Sequence, residues 1–374
     1  MTANTIIMCF KVTASYVSDP AFLVSLKKIG ELTLGALSSE PTQLQVDQDK
    51  LFIFTGTSGS HATLRIYFTG LVTLDVQHYG KGDEYEWSMG KYNMEAIKEL
   101  KRKIKDQFGS QVEFLHCLYT PVRRGGKAWP YYVTADERLV EPDYDKVVYE
   151  TNSSWQNIKI MHSRELGNVL VLDDDVSIGE SDSIYTQTLL GLGTTKRENY
   201  EGKEILILGG GDGGILHELL KDNPKYVTMA EVDEEVIKTC RTHLRSVCGD
   251  SMDNFEGPNY KIIIGDGIQV MKESLEQEKK FDYIINDISE FAVDIENKYG
   301  FAYSFKTTHL VMELALKLLK PGGKLLARGD CASAKNYHSQ LEEDVAKLGV
   351  RFNRRSAYVP SFRETYCFDE IWRD

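Results

Sequence analysis

Residues 209–214 read Gly-Gly-Gly-Asp-Gly-Gly and follow the apolar run Ile205–Leu208. Gly209, Gly211 and Gly214 satisfy the G-x-G-x-x-G spacing, which lets the chain turn sharply and lets a ligand approach the backbone. Alone, this loop suits a nicotinamide dinucleotide, a flavin or an adenosyl-sulfonium compound. Glu231, followed by Val232 and Asp233, lies 22 residues beyond Gly209, where a carboxylate can accept hydrogen bonds from ribose hydroxyls. Asp266, between Gly265 and Gly267, ends another apolar run and is suitably placed for an adenine amino group. Asn286-Asp287 ends a fourth and reaches toward a reaction centre. Each acid taken alone also reads as a helix N-cap. Four acidic strand ends in series are a far more specific pattern.

Asp212 narrows the ligand further. Methyltransferases of this architecture usually hold the carboxylate of S-adenosylmethionine near the glycine loop. The Asp212 carboxylate would repel that group, and would also disfavour a dinucleotide pyrophosphate. It would attract an ammonium. Decarboxylated S-adenosylmethionine is cationic and lacks the carboxylate.

The elements that must position these residues alternate between short apolar strands and helices from about Glu204. Strands are expected at Glu204–Leu208, Val227–Ala230, Tyr260–Ile264, Phe281–Asn286 and Lys324–Arg328, the signature of a Rossmann-like, doubly wound parallel sheet. Ligands of such sheets bind beyond the carboxyl ends of the strands. Asp145–Tyr149, Gln156–Ser163 and Asn168–Leu172 read as a small antiparallel unit. The first third reads as α+β. It has a strand at Ile6–Val17, a helix capped by Asp19 with Pro20 in its first turn, and strands at Leu51–Thr55, Ala62–Phe68 and Leu71–Gln77. Thr69-Gly70 marks a hairpin, and Met94–Gln107 a second helix whose basic run Lys98–Lys103 reads as a solvated face. The predicted domains are 1–125, 126–170 and 171–374.

The length of 374 residues is that of two or three domains. Lys and Arg number 44 against 56 Asp and Glu, a net charge of −12, which argues against a protein that grips nucleic-acid phosphates. No run approaches the ~18 apolar residues that cross a bilayer, so no membrane partner is expected. The opening MTANTIIMCFKV lacks the apolar segment of a signal peptide. None of the six cysteines forms a C-x-x-C pair, so no metal is expected and a reducing cytoplasm is the expected compartment.

The chain resembles the aminopropyltransferases. The match rests on Trp155–Ile160, Glu180-Ser181-Asp182 with Tyr185, Leu206–Leu208 running into the glycine loop, Glu231-Val232-Asp233, Asn286-Asp287 and Val359–Glu364. Upstream it continues through Leu64–Tyr67, Gly70–Val72, Arg124–Gly126 and Arg138–Glu141, as in the spermine-forming branch with its large N-terminal domain. The resemblance implies aminopropyl transfer from decarboxylated S-adenosylmethionine to spermidine, giving spermine and methylthioadenosine without a prosthetic group. It also implies a homodimer formed through residues 1–125. Alternatives are a spermidine- or thermospermine-forming member, then a small-molecule methyltransferase, and a polyamine sensor with a decayed site. By the resemblance, Gln156, Glu231, Asp266 and Gly267 bind the donor. Gly209, Gly211, Asp212 and Asp233 are grouped with them from the loop and strand-end pattern. The resemblance gives Tyr185, Asp212 and Glu364 to the polyamine acceptor and makes Asp287 the general base. Asp182 reads equally as an ammonium holder or as structural. Two acceptor-side positions depart from the pattern: Phe362 replaces a tyrosine, and Glu290 supplies an acid typical of spermidine-forming members.

Overall fold

The computed structural model describes the chain except for residues 1, 18, 58, 81–93, 115–121, 126–130, 135–137, 194–196, 289–300 and 374. The chain divides into two compact units, Met1–Pro130 and Tyr131–Asp374.

The first unit is built on a seven-stranded antiparallel sheet. Its central strand, Thr2–Val12, pairs with Leu71–Gly80 on one side and with Val112–Phe114 and Val122–Gly125 on the other. Alternation along that strand turns Ile6, Met8, Phe10 and Val12 inward, against Phe22, Leu26 and Ile29 of the helix Pro20–Leu34 and Ile97 and Ile104 of the helix Met94–Phe108. Asp19 caps the first of these helices by accepting from the Ala21 amide at 2.8 Å. The strand expected to run to Val17 stops at Val12. Its ladder partner turns at Gly70, whose φ is +85°, and residues Ala14–Val17 form a helical turn begun by Tyr16 N–H to the Thr13 carbonyl. The edge strand Thr42–Val46 lies outside the expected elements, because it is short and its first four residues are exposed, with Leu44 the one apolar side chain among them. On the basic helix, Arg102 bonds Glu99 and Asp106 within its own exposed face.

In the second unit, Tyr144–Asn152, Asn157–Ser163, Gly167–Leu172 and Asp175–Gly179 form a four-stranded antiparallel sheet. Its last strand lies beyond residue 170, where the sequence reading ended this element.

The larger sheet has seven strands. In chain order they are Glu204–Gly209, Tyr226–Glu231, Tyr260–Ile264, Phe281–Asp287, Leu319–Cys331, Arg351–Val359 and Glu364–Trp372. In space they run third, second, first, fourth, fifth, seventh, sixth. The first five are parallel, as the apolar runs predict. The last two form an antiparallel hairpin that the sequence reading did not identify. Alternation sends Ile205, Ile207, Met229 and Ile285 to one face of the sheet and Leu206, Leu208, Ala230 and Ile284 to the other, giving a core on each side. No described helix is long and apolar enough to cross a membrane.

Candidate active site

The site forms where the first and fourth strands end side by side. Gly209 is the register partner of Asp287, so the glycine loop leaves the sheet beside that acid. Gly209, Gly210 and Gly213 have φ of +79°, +82° and +80°, a region that side chains other than glycine rarely adopt. A Cβ on Gly209 would stand 2.7 Å from the Asp287 carbonyl oxygen. Below the loop, a Cβ on Gly213 would meet Met252 and Cys248 at under 3 Å. Cys248 Sγ donates in turn to the Cys240 carbonyl, and both thiols are buried.

Three half-buried carboxylates surround this loop. Asp212 Oδ1 accepts from the Gly214 amide at 2.8 Å. Glu231 ends the second strand, accepts from the Asp233 amide at 2.9 Å, and lies against Gly211. Burial raises the pKa of Asp212, opposed by its backbone hydrogen bonds. Burial pushes Glu231 up to about 7, with the charges of Asp233 and Asp212 adding to the effect. Asp287 is also raised to about 7, first by burial and then by Asp212, while Arg328 and the Tyr185 hydrogen bond pull it down. These groups repel one another, and the arrangement favours a cationic ligand.

Tyr185 comes from the helix Ser183–Leu189 and donates its hydroxyl to Asp287 Oδ1 at 2.5 Å. Burial and the Asp287 charge raise the phenol well above its ordinary value, so it stays a donor. Its ring meets Phe362 edge-on at 5.9 Å, and Phe368 edge-on at 5.0 Å. Phe362 thus forms part of the aromatic wall behind the tyrosine.

Other sequence-predicted residues hold scaffold bonds as well. Asp233 caps the helix Glu234–His243 through the Glu235 amide, and its second oxygen accepts from Gln156 Nε2 at 3.0 Å and from Ser153 Oγ at 2.6 Å. Gln156 is therefore fixed beside the Glu231 strand. Asp266 is exposed and caps the helix Gly267–Glu276 through the Ile268 amide at 2.8 Å. Gly267 is buried against Leu208. Glu364 opens the last strand opposite Val359. Glu290 lies outside the described residues.

Asn286 does not share Asp287's position. Neighbouring strand residues point to opposite faces, and Asn286 lines a small cavity with Val311, Met312, Leu325 and Tyr337. Asn286 and Asp287 therefore face opposite sides of the sheet, and only Asp287 stands beside the glycine loop.

Asp182 has a structural place. It is 1% exposed, and its carboxylate accepts from the Gly179 amide at 2.6 Å, the Ser361 amide at 3.0 Å and the Ser361 hydroxyl. These bonds pin the 360–363 turn, which carries Phe362 and leads to Glu364. Asp182→Ala strands two buried amides and a hydroxyl, so a stability loss of ~2–5 kcal/mol is expected. Urea unfolding measures it, and a loss below ~1 kcal/mol would contradict the pinning role.

The description "Spermine/spermidine synthase domain" matches residues 182–372. That span is more than half of the chain. The chain belongs to the spermine/spermidine synthase family. "Spermidine synthase tetramerisation domain" matches residues 128–180, and "S-adenosylmethionine decarboxylase N-terminal" matches 40–124. A polyamine aminopropyltransferase of Korarchaeum cryptofilum is 31% identical over 59% of this chain and 64% of its own length. One of Hyperthermus butylicus is 30% identical over 60% of this chain and 74% of its own length. In fold, the chain resembles the spermidine synthase of Thermotoga maritima with a TM-score of 0.52 and 21% identity, over 65% of this chain and 78% of that one.

One charged residue beside the candidate site has no place among the residues expected from the sequence. Arg328, near the end of the fifth strand, is half-buried, and its Nη2 donates to the Tyr366 hydroxyl at 2.8 Å. A single arginine after an apolar run carries no sequence signal for an inward position. Only the strand register reveals it.

Proposed function

We propose that this protein transfers the aminopropyl group of decarboxylated S-adenosylmethionine to spermidine, giving spermine and methylthioadenosine. The observation that carries this reading is the Gly209–Asp287 register pair, which stands a carboxylate with a raised pKa against a glycine loop bearing Asp212. In this reading Gln156, Glu231, Asp266 and Gly267 hold the donor's methylthioadenosine part. Tyr185, Phe362 and Glu364 line the acceptor's side, and Asp212 attracts the ammonium groups of both ligands.

The chemistry is an in-line displacement. The acceptor's nitrogen lone pair attacks the methylene carbon next to the sulfonium, and the carbon–sulfur bond breaks with its electron pair returning to sulfur. The leaving group is a neutral thioether, so it needs no proton. The harder requirement is a neutral nucleophile. An alkylammonium with a lysine-like pKa of ~10.4 is on the order of 0.1% neutral near pH 7, and reaching the free base costs roughly 4–5 kcal/mol. Asp287 takes the proton, while Tyr185 on Oδ1 orients the carboxylate. At about 7, Asp287 is a far better match for an ammonium proton than an ordinary carboxylate. Alignment of nitrogen, carbon and sulfur supplies much of the remaining acceleration.

The preference for spermidine as acceptor is supported by the N-terminal match over residues 40–124. A homodimer through the first unit belongs to the same proposal. An acceptor competition tests the reading: the protein receives decarboxylated S-adenosylmethionine with equal putrescine and spermidine, and chromatography with mass spectrometry identifies the products. Spermine is the expected main product. Spermidine as the main product would replace this reading with the spermidine-forming one, and thermospermine would change the site of attack on the acceptor.

A further inference from the structure

Carboxylates hold a bound ammonium in its charged form, yet the proposed reaction consumes a neutral amine. Asp212, Glu231 and Asp287 all work in the first direction. Arg328 is an exception at the same strand ends. Asn286 and Ala327 form the last register pair between the fourth and fifth strands, so Asp287 and Arg328 follow as neighbours. Alternation turns both toward the face that carries Ile285 and Leu326. The guanidinium bonds the Tyr366 hydroxyl at 2.8 Å and lies 5.7 Å from the centre of that ring. Tyr366 in turn lies 6.2 Å from the ring of Tyr185, whose hydroxyl holds Asp287. An aromatic bracket thus fixes a cation one strand away from the base.

We infer that Arg328 is the resident cation of the acceptor site, favouring the uncharged form of the attacking nitrogen at the expense of acceptor affinity. This rests on the function proposed above. A like charge close to a bound ammonium promotes loss of its proton, and the same field keeps Asp287 ionised to receive it. The groups facing this pair are Asp212 and Glu231 from the first two strand ends, Tyr185 from its helix and Tyr366 from the last strand. Glu364 also lies at the start of that strand. Removing the cation raises the pKa of both the amine and Asp287, so the two effects add on the acid side of the pH profile.

The test uses the full chain with decarboxylated S-adenosylmethionine and spermidine. For Arg328→Gln, the acid limb of kcat is expected to move up by about one pH unit, and kcat at pH 7 to fall about tenfold. Spermidine binding, followed by calorimetry at pH 8.5, should tighten about threefold or more as a like charge is removed. Arg328→Lys keeps the charge and should hold the limb within about 0.3 pH units of wild type. A residue that merely packs Tyr366 predicts the opposite: weaker spermidine binding with the limb unmoved, which would overturn the inference. If the glutamine variant fails to fold, the lysine variant decides, and a displaced limb with raised KM overturns the proposal. Wild-type protein that binds spermidine but forms no aminopropyl product would remove the functional reading instead, and the affinity comparison would still decide the role of Arg328.

Discussion

Asp287→Asn is expected to lower turnover roughly 10²–10⁴-fold while donor binding survives. The amide has nearly the shape of the carboxylate, and Tyr185 can still donate to its oxygen. The variant loses the capacity to accept a proton from the attacking nitrogen. It also loses the charge that Asp212 and Glu231 press upon. In wild type, kcat/KM should fall as the pH drops through about 7, because the raised carboxyl of Asp287 then takes up a proton. The variant should lack that limb. Single-turnover product formation across pH 5.5–9, with donor affinity measured separately, checks both parts. A variant that keeps more than a tenth of wild-type turnover would remove Asp287 from the role of base.

The second large effect is expected from a residue with no functional group. Gly209→Ala places a methyl 2.7 Å from the Asp287 carbonyl oxygen and 2.9 Å from its carbonyl carbon. Both are backbone atoms, so neither can swing away. The φ of +79° adds a conformational penalty of ~1–2 kcal/mol for any side chain. Relief requires the first and fourth strands to part at the level of the base, and a misplacement of ~1 Å can cost on the order of 10²-fold in rate. Turnover should therefore fall ~100-fold, with a stability loss of at least ~2 kcal/mol. Gly202→Ala is the control. Gly202 has a comparable φ of +67° with open space around it, so that variant should pay the backbone penalty and retain its turnover. Equal loss of turnover in both would show that strain, not the contact with Asp287, is responsible.

Much of this site was legible because its signals are local. An apolar run, a glycine turn and an acid following the run lie within one short stretch of chain, and the parallel sheet brings several such stretches to one edge. What the sequence hid depends on distant pairing. Asp182 and Ser361 are 179 residues apart, and only the folded chain shows that the acid pins a turn. Gln156 and Asp233 are 77 apart, and their bond ties the small antiparallel sheet to the second strand end. Arg351–Val359 is largely polar and only partly buried, so its alternation did not stand out as a strand. Arg328 was hidden for a related reason: its inward direction follows from the register of two neighbouring strands.

The order of the last strands bears on how the protein is made. Glu364–Trp372 lies between Leu319–Cys331 and Arg351–Val359, so the earlier-synthesised Arg351–Val359 has no place at the sheet until the later strand inserts. A chain emerging from the ribosome can assemble the glycine loop and the base from its first five parallel strands. It gains the Phe362 wall, the Tyr366 bracket and Glu364 only after residue 372 has been made. The donor half of the proposed site is thus built from strands made early, whereas the acceptor half has Tyr185 and Asp212 early but waits for Glu364–Trp372 to add Phe362, Tyr366 and Glu364.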